Sequence, residues 1–277
     1  MRVISSNKIR DIVSNLCIQA NLVLRKDVLR QLKAAYAKEK NKMAKDILTA
    51  VIKNAFIAKK QKLAICQDTG LVCVFVELGQ NVGINGDLKE AINQGVELGY
   101  RKYSLRNSIV DDPLLRTGSR YHIAIIHIDM VKGNKLKLTV LPKGFGCENK
   151  TQLKMFKPTA AASEIKKFII ETVRAAGADA CPPYIIGVGI GGTAHYACLL
   201  AKKALLRKLS VNRSTLYAKL ESDLLKAINN LNIGPMGLGG KTTCLAVNIL
   251  THPTHIAGLP VAVNISCHAL RSASATL

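Results

Sequence analysis

The sequence predicts an α/β (α+β) fold, with helices layered on a mixed, partly antiparallel sheet. Apolar residues at three-to-four spacing mark helices throughout residues 6–62. Short apolar runs bounded by glycine alternate with further helical stretches after that point. Two strand-like runs are joined through a Gly-Asn pair, the signature of an antiparallel hairpin. A chain of 277 residues has material for one large domain or two lobes. Without a repeat or low-complexity linker, residues 1–277 read as one domain with a helical part, 6–62, and a mixed remainder, 63–277.

Ile9, Ile12, Val13, Leu16 and Cys17 form the first apolar stripe, Val28, Leu29, Leu32 and Ala35 the second, and Met43, Ile47, Leu48, Val51 and Ile52 the third. Residues 71–78 are a short apolar strand ending at Gly79, and 86–103 a helix with Leu88, Ile92, Val96 and Leu98 inward. Strands at 121–129 and 135–142 are expected to pair through Val131-Lys132-Gly133-Asn134. A polar, glycine-rich loop follows at 144–149, then a helix at 161–176 ended by Gly177. A buried strand at 184–190 leads into a helix at 194–209, and another helix occupies 216–231. Two apolar strands, 245–250 and 259–265, precede a polar tail.

Two glycine motifs invite a nucleotide reading. Gly187-Val188-Gly189-Ile190-Gly191-Gly192 matches the dinucleotide fingerprint, but the ribose-binding acid expected about 20 residues on is replaced by Lys208-Leu209-Ser210. It reads as a tight strand-to-helix turn instead. Gly239-Gly240-Lys241-Thr242-Thr243 resembles the end of a phosphate-binding loop, but Pro235 stands where a glycine is required and a strand follows. The fold is therefore neither a Rossmann nor a P-loop fold.

The net charge of +22 fits a solvated lysine-rich surface, an acidic partner, a small anionic substrate or nucleic acid. No RNA-binding aromatic signature or zinc-finger spacing accompanies it. No apolar run reaches membrane-spanning length, and residues 1–16 contain no secretory core, so the expected location is cytoplasmic, with no membrane contact. Eight cysteines without an export signal or a CxxC pair argue against a disulfide scaffold and a zinc ribbon.

Three of those cysteines sit in unusual company. Cys66 opens Cys66-Gln67-Asp68-Thr69-Gly70, Cys181 stands in Ala180-Cys181-Pro182-Pro183, and Cys267 in Ile265-Ser266-Cys267-His268. They read as candidate iron–sulfur ligands with Gln67 and Asp68 beside them. A small buried apolar thiol is the alternative for Cys66 taken alone, and spacing decides neither way for a cluster.

These motifs, with Leu105-Arg106-Asn107-Ser108, Lys143-Gly144-Phe145-Gly146-Cys147-Glu148-Asn149 and Leu259-Pro260-Val261 leading to Cys267 and Arg271, occur in one order. Together they make the chain, from about residue 8 onward, resemble the alpha subunit of two-subunit class I fumarate hydratases, a family that includes L(+)-tartrate dehydratase. The resemblance implies a [4Fe-4S] cluster on Cys66, Cys181 and Cys267, with one iron lacking a protein ligand. It implies Asp68 as the acid meeting the departing or attacking hydroxyl. Gln67, Arg106, Gly146 and Asn149 would contact a small dicarboxylate, Arg106 gripping a carboxylate bidentately. The proton-abstracting base is expected on a separate beta subunit, giving a hetero-oligomer. The implied activity is reversible hydration of fumarate to malate, with L(+)-tartrate dehydration as the alternative. A basic nucleic-acid-binding protein is a remote one, since no nucleic-acid partner is expected. Cys147, where the family usually has Ser, and Asn248, in a strand where many alpha subunits carry His, depart from the pattern.

Overall fold

A computed structural model describes residues 2–121, 123–209 and 216–277, with Leu216 described by its backbone alone. His122 in the expected 121–129 strand, and Ser210 near the missing ribose acid, lie outside the described residues. The chain begins with β1 (Arg2–Ser5), α1 (Ser6–Leu22), α2 (Lys26–Lys38) and α3 (Lys42–Gln61). Next come β2 (Leu71–Gly79), β3 (Val82–Asn85), α4 (Leu88–Lys102), β4 (Ile125–Val131) and β5 (Leu136–Lys143). The middle of the chain forms α5 (Phe145–Glu148), β6 (Gln152–Phe156), α6 (Ala162–Ala176), β7 (Tyr184–Gly192) and α7 (Ala194–Ala204). It closes with α8 (Leu216–Asn229), β8 (Cys244–Thr254), β9 (Leu259–Ser266) and β10 (Ala273–Thr276). Two compact units are interleaved along it: Met1–Arg25, Ala55–Phe145 and Arg271–Leu277 form the first, Lys26–Asn54 and Gly146–Leu270 the second.

The first unit is built on a four-stranded sheet in the order β10-β5-β2-β4. Val72, Val74 and Val76 of β2 and Leu136, Leu138 and Val140 of β5 meet the apolar faces of α1 and α4. Asp87 caps α4 by accepting the Glu90 N–H at 2.9 Å. The expected β4–β5 hairpin does not form. β2 lies between them, parallel to β4 and antiparallel to β5. The connection crosses the end of β2, where Val131 and Gly133 carbonyls accept N–H groups of Gln80 and Asn81. A Cβ on Gly79 would sit 2.6 Å from the Gly133 oxygen, so close passage requires glycine there. The cause is burial: β2 is apolar on both faces and takes the centre of the sheet, displacing a locally plausible turn. The polar tail likewise becomes β10, paired antiparallel with β5.

The second unit has a sheet in the order β6-β9-β7-β8, with β7 parallel to β8 and antiparallel to β9. Ile186 and Val188 of β7 and Val261, Val263 and Ile265 of β9 pack with Ile169 and Val173 of α6 and Leu224 and Ile228 of α8. α7 covers the opposite face through Ala197 and Ala201 against Ala262. Burial on both faces explains why these strands read as unbroken apolar runs. It also explains the glycine fingerprint. A Cβ on Gly187 or Gly189 would lie 2.0 Å from the Ala201 or Ala197 carbonyl oxygen, so these glycines admit α7 against the strand. Gly191 and Gly192, at φ +92° and +69°, make the expected strand-to-helix turn. The edge of β8 is protected where Glu221 accepts the Ile249 N–H at 2.7 Å and Arg207 donates to the Ile249 carbonyl at 2.8 Å.

The second glycine motif is occupied by a carboxylate. Buried Glu39 accepts the N–H groups of Lys40, Asn41 and Lys241 at 2.9, 3.0 and 2.8 Å. Burial pushes its carboxyl pKa up, but those backbone donors and the charge of Lys241 outweigh it and hold the pKa below its ordinary value. The stabilisation is complete at neutral pH and is lost as pH falls through the lowered folded-state value. Glu39→Gln should therefore destabilise the chain by about 1.5–3 kcal/mol near neutrality. Thermal unfolding followed from neutral to acid pH should show the two proteins converging as the wild-type carboxylate protonates. A constant gap across that range would contradict it.

Candidate active site

The first unit holds the Cys66–Gly70 loop from several sides. The Ile65 N–H donates to the Asn21 carbonyl of α1 at 3.0 Å, fixing the residue before Cys66. Asp68 is half-buried, and both of its carboxylate oxygens accept backbone N–H groups: Oδ1 from Gly70 at 2.9 Å and Oδ2 from Phe145 at 2.8 Å. Gly144 leaves room for it, since a Cβ there would lie 3.1 Å from Oδ2. Thr69 ties the loop to Arg106, its Oγ1 accepting the Arg106 N–H at 3.1 Å. The Arg106 side chain is exposed and, among the described residues, has no ion-pair or hydrogen-bond partner. Gln67 is exposed, with Oε1 3.6 Å from the Cys66 sulfur. Asp68, Thr69 and the Arg106 backbone are thus brought together.

In the second unit, Cys181 and Cys267 lie on neighbouring segments. The Cys181 carbonyl faces the ring Nδ1 of His268 at 3.0 Å and accepts the His268 N–H at 3.5 Å. The Cys267 sulfur accepts the Ala269 N–H at 3.4 Å. Gly146 and Asn149 are exposed on the loop around α5, where the expected irregular loop is a single helical turn. That turn is anchored by Glu148, which accepts from Lys202 of α7 at 2.5 Å and from Asn264 of β9 at 2.9 Å. Cys147 is buried and donates to the Ala180 carbonyl at 3.3 Å, one residue before Cys181, so this departure joins the loop to the Cys181 segment. Asn248 is buried too, its Nδ2 donating to the Ala204 carbonyl at the end of α7 at 3.0 Å. It caps a helix.

None of the eight cysteines is in a disulfide, and six of them fall into two groups. Burial raises the thiol pKa of Cys17 and Cys244, to about 12 for Cys244, so these remain protonated core groups, and it raises that of the half-buried Cys198 as well. Cys66, Cys181 and Cys267 are half-buried in loops outside the core strands. Among the described residues, no three His, Cys, Asp or Glu side chains gather as ligands of a single metal ion. The donor set fits an iron–sulfur group in its chemistry: three half-buried thiols in loops, one already accepting an N–H on sulfur.

Sequence reasoning missed one feature of the second unit. A cavity of about 470 Å³ opens at the carboxyl ends of the parallel strands β7 and β8, lined by Gly192, Thr193, Tyr196, His252, Thr254 and His255. His252 packs edge-on against Tyr196, with ring centroids 4.8 Å apart. Two histidines three residues apart beyond an apolar strand, opposite a Gly-Gly-Thr turn, were the available signal.

In the first unit, a carboxylate held by two backbone N–H groups and an exposed guanidinium without a partner among the described residues are groups suited to an enzyme. Comparison with known proteins gives its family. The fumarate hydratase (Fumerase) family matches residues 10–276, and the chain belongs to it, an enzyme of the hydro-lyase class. It is 40% identical over 275 residues to a protein of Methanocaldococcus jannaschii named putative L(+)-tartrate dehydratase subunit alpha, covering 96% of each chain. It is 30% identical over 270 residues to the L(+)-tartrate dehydratase subunit alpha of Escherichia coli (strain K12), covering 96% of this chain and 89% of that one. No described helix is long and apolar enough to cross a membrane.

Proposed function

We propose that this chain is the alpha subunit of an iron–sulfur hydro-lyase that reversibly hydrates fumarate to malate. The observation that carries this reading is the Asp68 carboxylate, held by two backbone N–H groups between Cys66 and the segment that presents Arg106. Cys66, Cys181 and Cys267 are the proposed ligands of a [4Fe-4S] cluster. When bound, a cluster with one iron free of protein thiolate supplies a Lewis acid for the substrate hydroxyl and carboxylate.

The chain's own residues do the rest. Arg106 takes a substrate carboxylate with two parallel N–H bonds, and Gln67, the Gly146 backbone and Asn149 orient the remainder. Asp68 meets the hydroxyl: in hydration it accepts a proton from the attacking water, and in the reverse direction it returns that proton to the departing group. The second proton, added to or removed from the neighbouring carbon, needs a base, which this reading assigns to a beta subunit. The relatives' name, subunit alpha, supports a partner beta subunit and a hetero-oligomer. Neither nucleic acid nor a membrane has a part in this function. Eight free thiols suit the reducing cytoplasm.

Tartrate is the second reading, favoured by the names of both relatives. The same elimination there removes a hydroxyl and the proton on the adjacent carbon. Anaerobic assay of the alpha–beta complex on fumarate and on both tartrate enantiomers tests the two. Hydration of fumarate is the expected result; turnover of L(+)-tartrate alone moves the assignment to the second reading, and turnover of none overturns both.

A further inference from the structure

Arg271 stands two residues before β10, and its guanidinium is buried at 4% exposure. It has no carboxylate partner among the described residues. Its terminal nitrogen donates to the backbone carbonyl of Asp68, while its Nε is buried without an acceptor. A buried cation without a counter-ion is costly unless its position is needed. The next two carbonyls of the loop are held the same way: the hydroxyl of Tyr100, on α4, donates to Thr69 at 2.6 Å and lies 3.2 Å from the Gly70 oxygen. Burial raises the Tyr100 pKa and keeps it a neutral donor.

Sheet pairing explains how both sides of Asp68 are set. β10 pairs antiparallel with β5, which places Arg271 at the Asp68 carbonyl. β5 runs directly into Gly144 and Phe145, which receive the Asp68 carboxylate. Two adjacent strands of one sheet thus grip the backbone and the side chain of one residue. We propose that Arg271 is a positioning residue: by holding the Asp68 carbonyl it turns the Asp68 carboxylate onto the Gly70 and Phe145 amides and aims it for the reaction. The inference rests on the reading of Asp68 as the acid of a hydro-lyase.

The test uses Arg271→Met and Arg271→Lys in the alpha–beta complex. Arg271→Met should lower kcat by about 30-fold or more, leave KM within about twofold, and leave iron and sulfide content unchanged. Arg271→Lys, which retains a donor and the charge, should recover at least about tenfold of that loss. In an Asp68→Asn background, Arg271→Met should lower kcat by no more than about threefold, because both changes act through one group. Effects that multiply, or a loss of iron, would overturn the proposal.

A second measurement is independent of turnover and of any bound cluster. In the full-length alpha chain, Arg271→Met should raise hydrogen exchange at the Gly70 and Phe145 amides, with β2 and β5 unchanged. Unchanged protection at those two amides overturns the positioning role. A wild-type complex inactive on every diacid, with the exchange result intact, overturns the function and leaves the positioning in place.

Discussion

An alpha–beta complex carrying Asp68→Asn is expected to keep its iron and sulfide and to lose about 10²- to 10⁴-fold in turnover, the contribution of a positioned acid or base. Both Asp68 oxygens accept backbone N–H groups, and an amide presents just one acceptor, so part of the loss is geometric. Gly144→Ala separates the two causes. It keeps the carboxylate but places a Cβ 3.1 Å from Oδ2, enough to displace it by a few tenths of an ångström. A loss of about tenfold is expected from that displacement, so the remainder in Asp68→Asn is proton transfer. Kinetics on both variants at matched iron content make the comparison. An active Asp68→Asn enzyme would remove Asp68 from the chemistry.

Cys181→Ser is expected to abolish activity by a different route. Serine reproduces the size of the side chain but is a poor ligand for iron, which iron–sulfur clusters draw from thiolates. Cys181 has φ +56°, and its carbonyl is held by His268, so the segment should keep its shape while losing the ligand. The expected result is a folded, colourless complex with little iron. Cys244→Ser supplies the contrast: that thiol is a buried core group on β8, and its replacement should cost stability while iron is retained. Iron retained in Cys181→Ser would remove Cys181 from the ligand set.

Much of the fold was legible because its elements are locally consistent. The stripes of α1 to α3 and the doubly buried runs of β2, β7 and β9 announce themselves in spacing and composition. What failed depended on competition between distant segments. The Gly133-Asn134 turn is locally sound, but β2 has the stronger claim on the sheet centre, so β4 and β5 end on either side of it. The strand β6 hides because it is only five residues long and four of them are exposed, so the brief alternation of Gln152-Leu153-Lys154-Met155 marks no buried face.

The candidate site divides similarly. Cys66, Asp68, Cys181 and Cys267 stand out by chemistry against apolar surroundings. Arg271 and Tyr100 do not, since their importance lies in which carbonyls they reach, 203 and 31 residues away along the chain. His252 and His255 gain meaning from the cavity opened by the Gly191-Gly192 turn. The phosphate-loop look of Gly239 to Thr243 was misleading for the same reason. Its Lys241 amide is taken by Glu39, at the opposite end of the second unit's sequence.

Iron and acid-labile sulfide content of the anaerobically purified alpha–beta complex is the most direct test of the central claim. About four irons and four sulfides per alpha chain, lost together in Cys66→Ser, Cys181→Ser and Cys267→Ser, is the predicted result. A fully active complex that contains neither would contradict it.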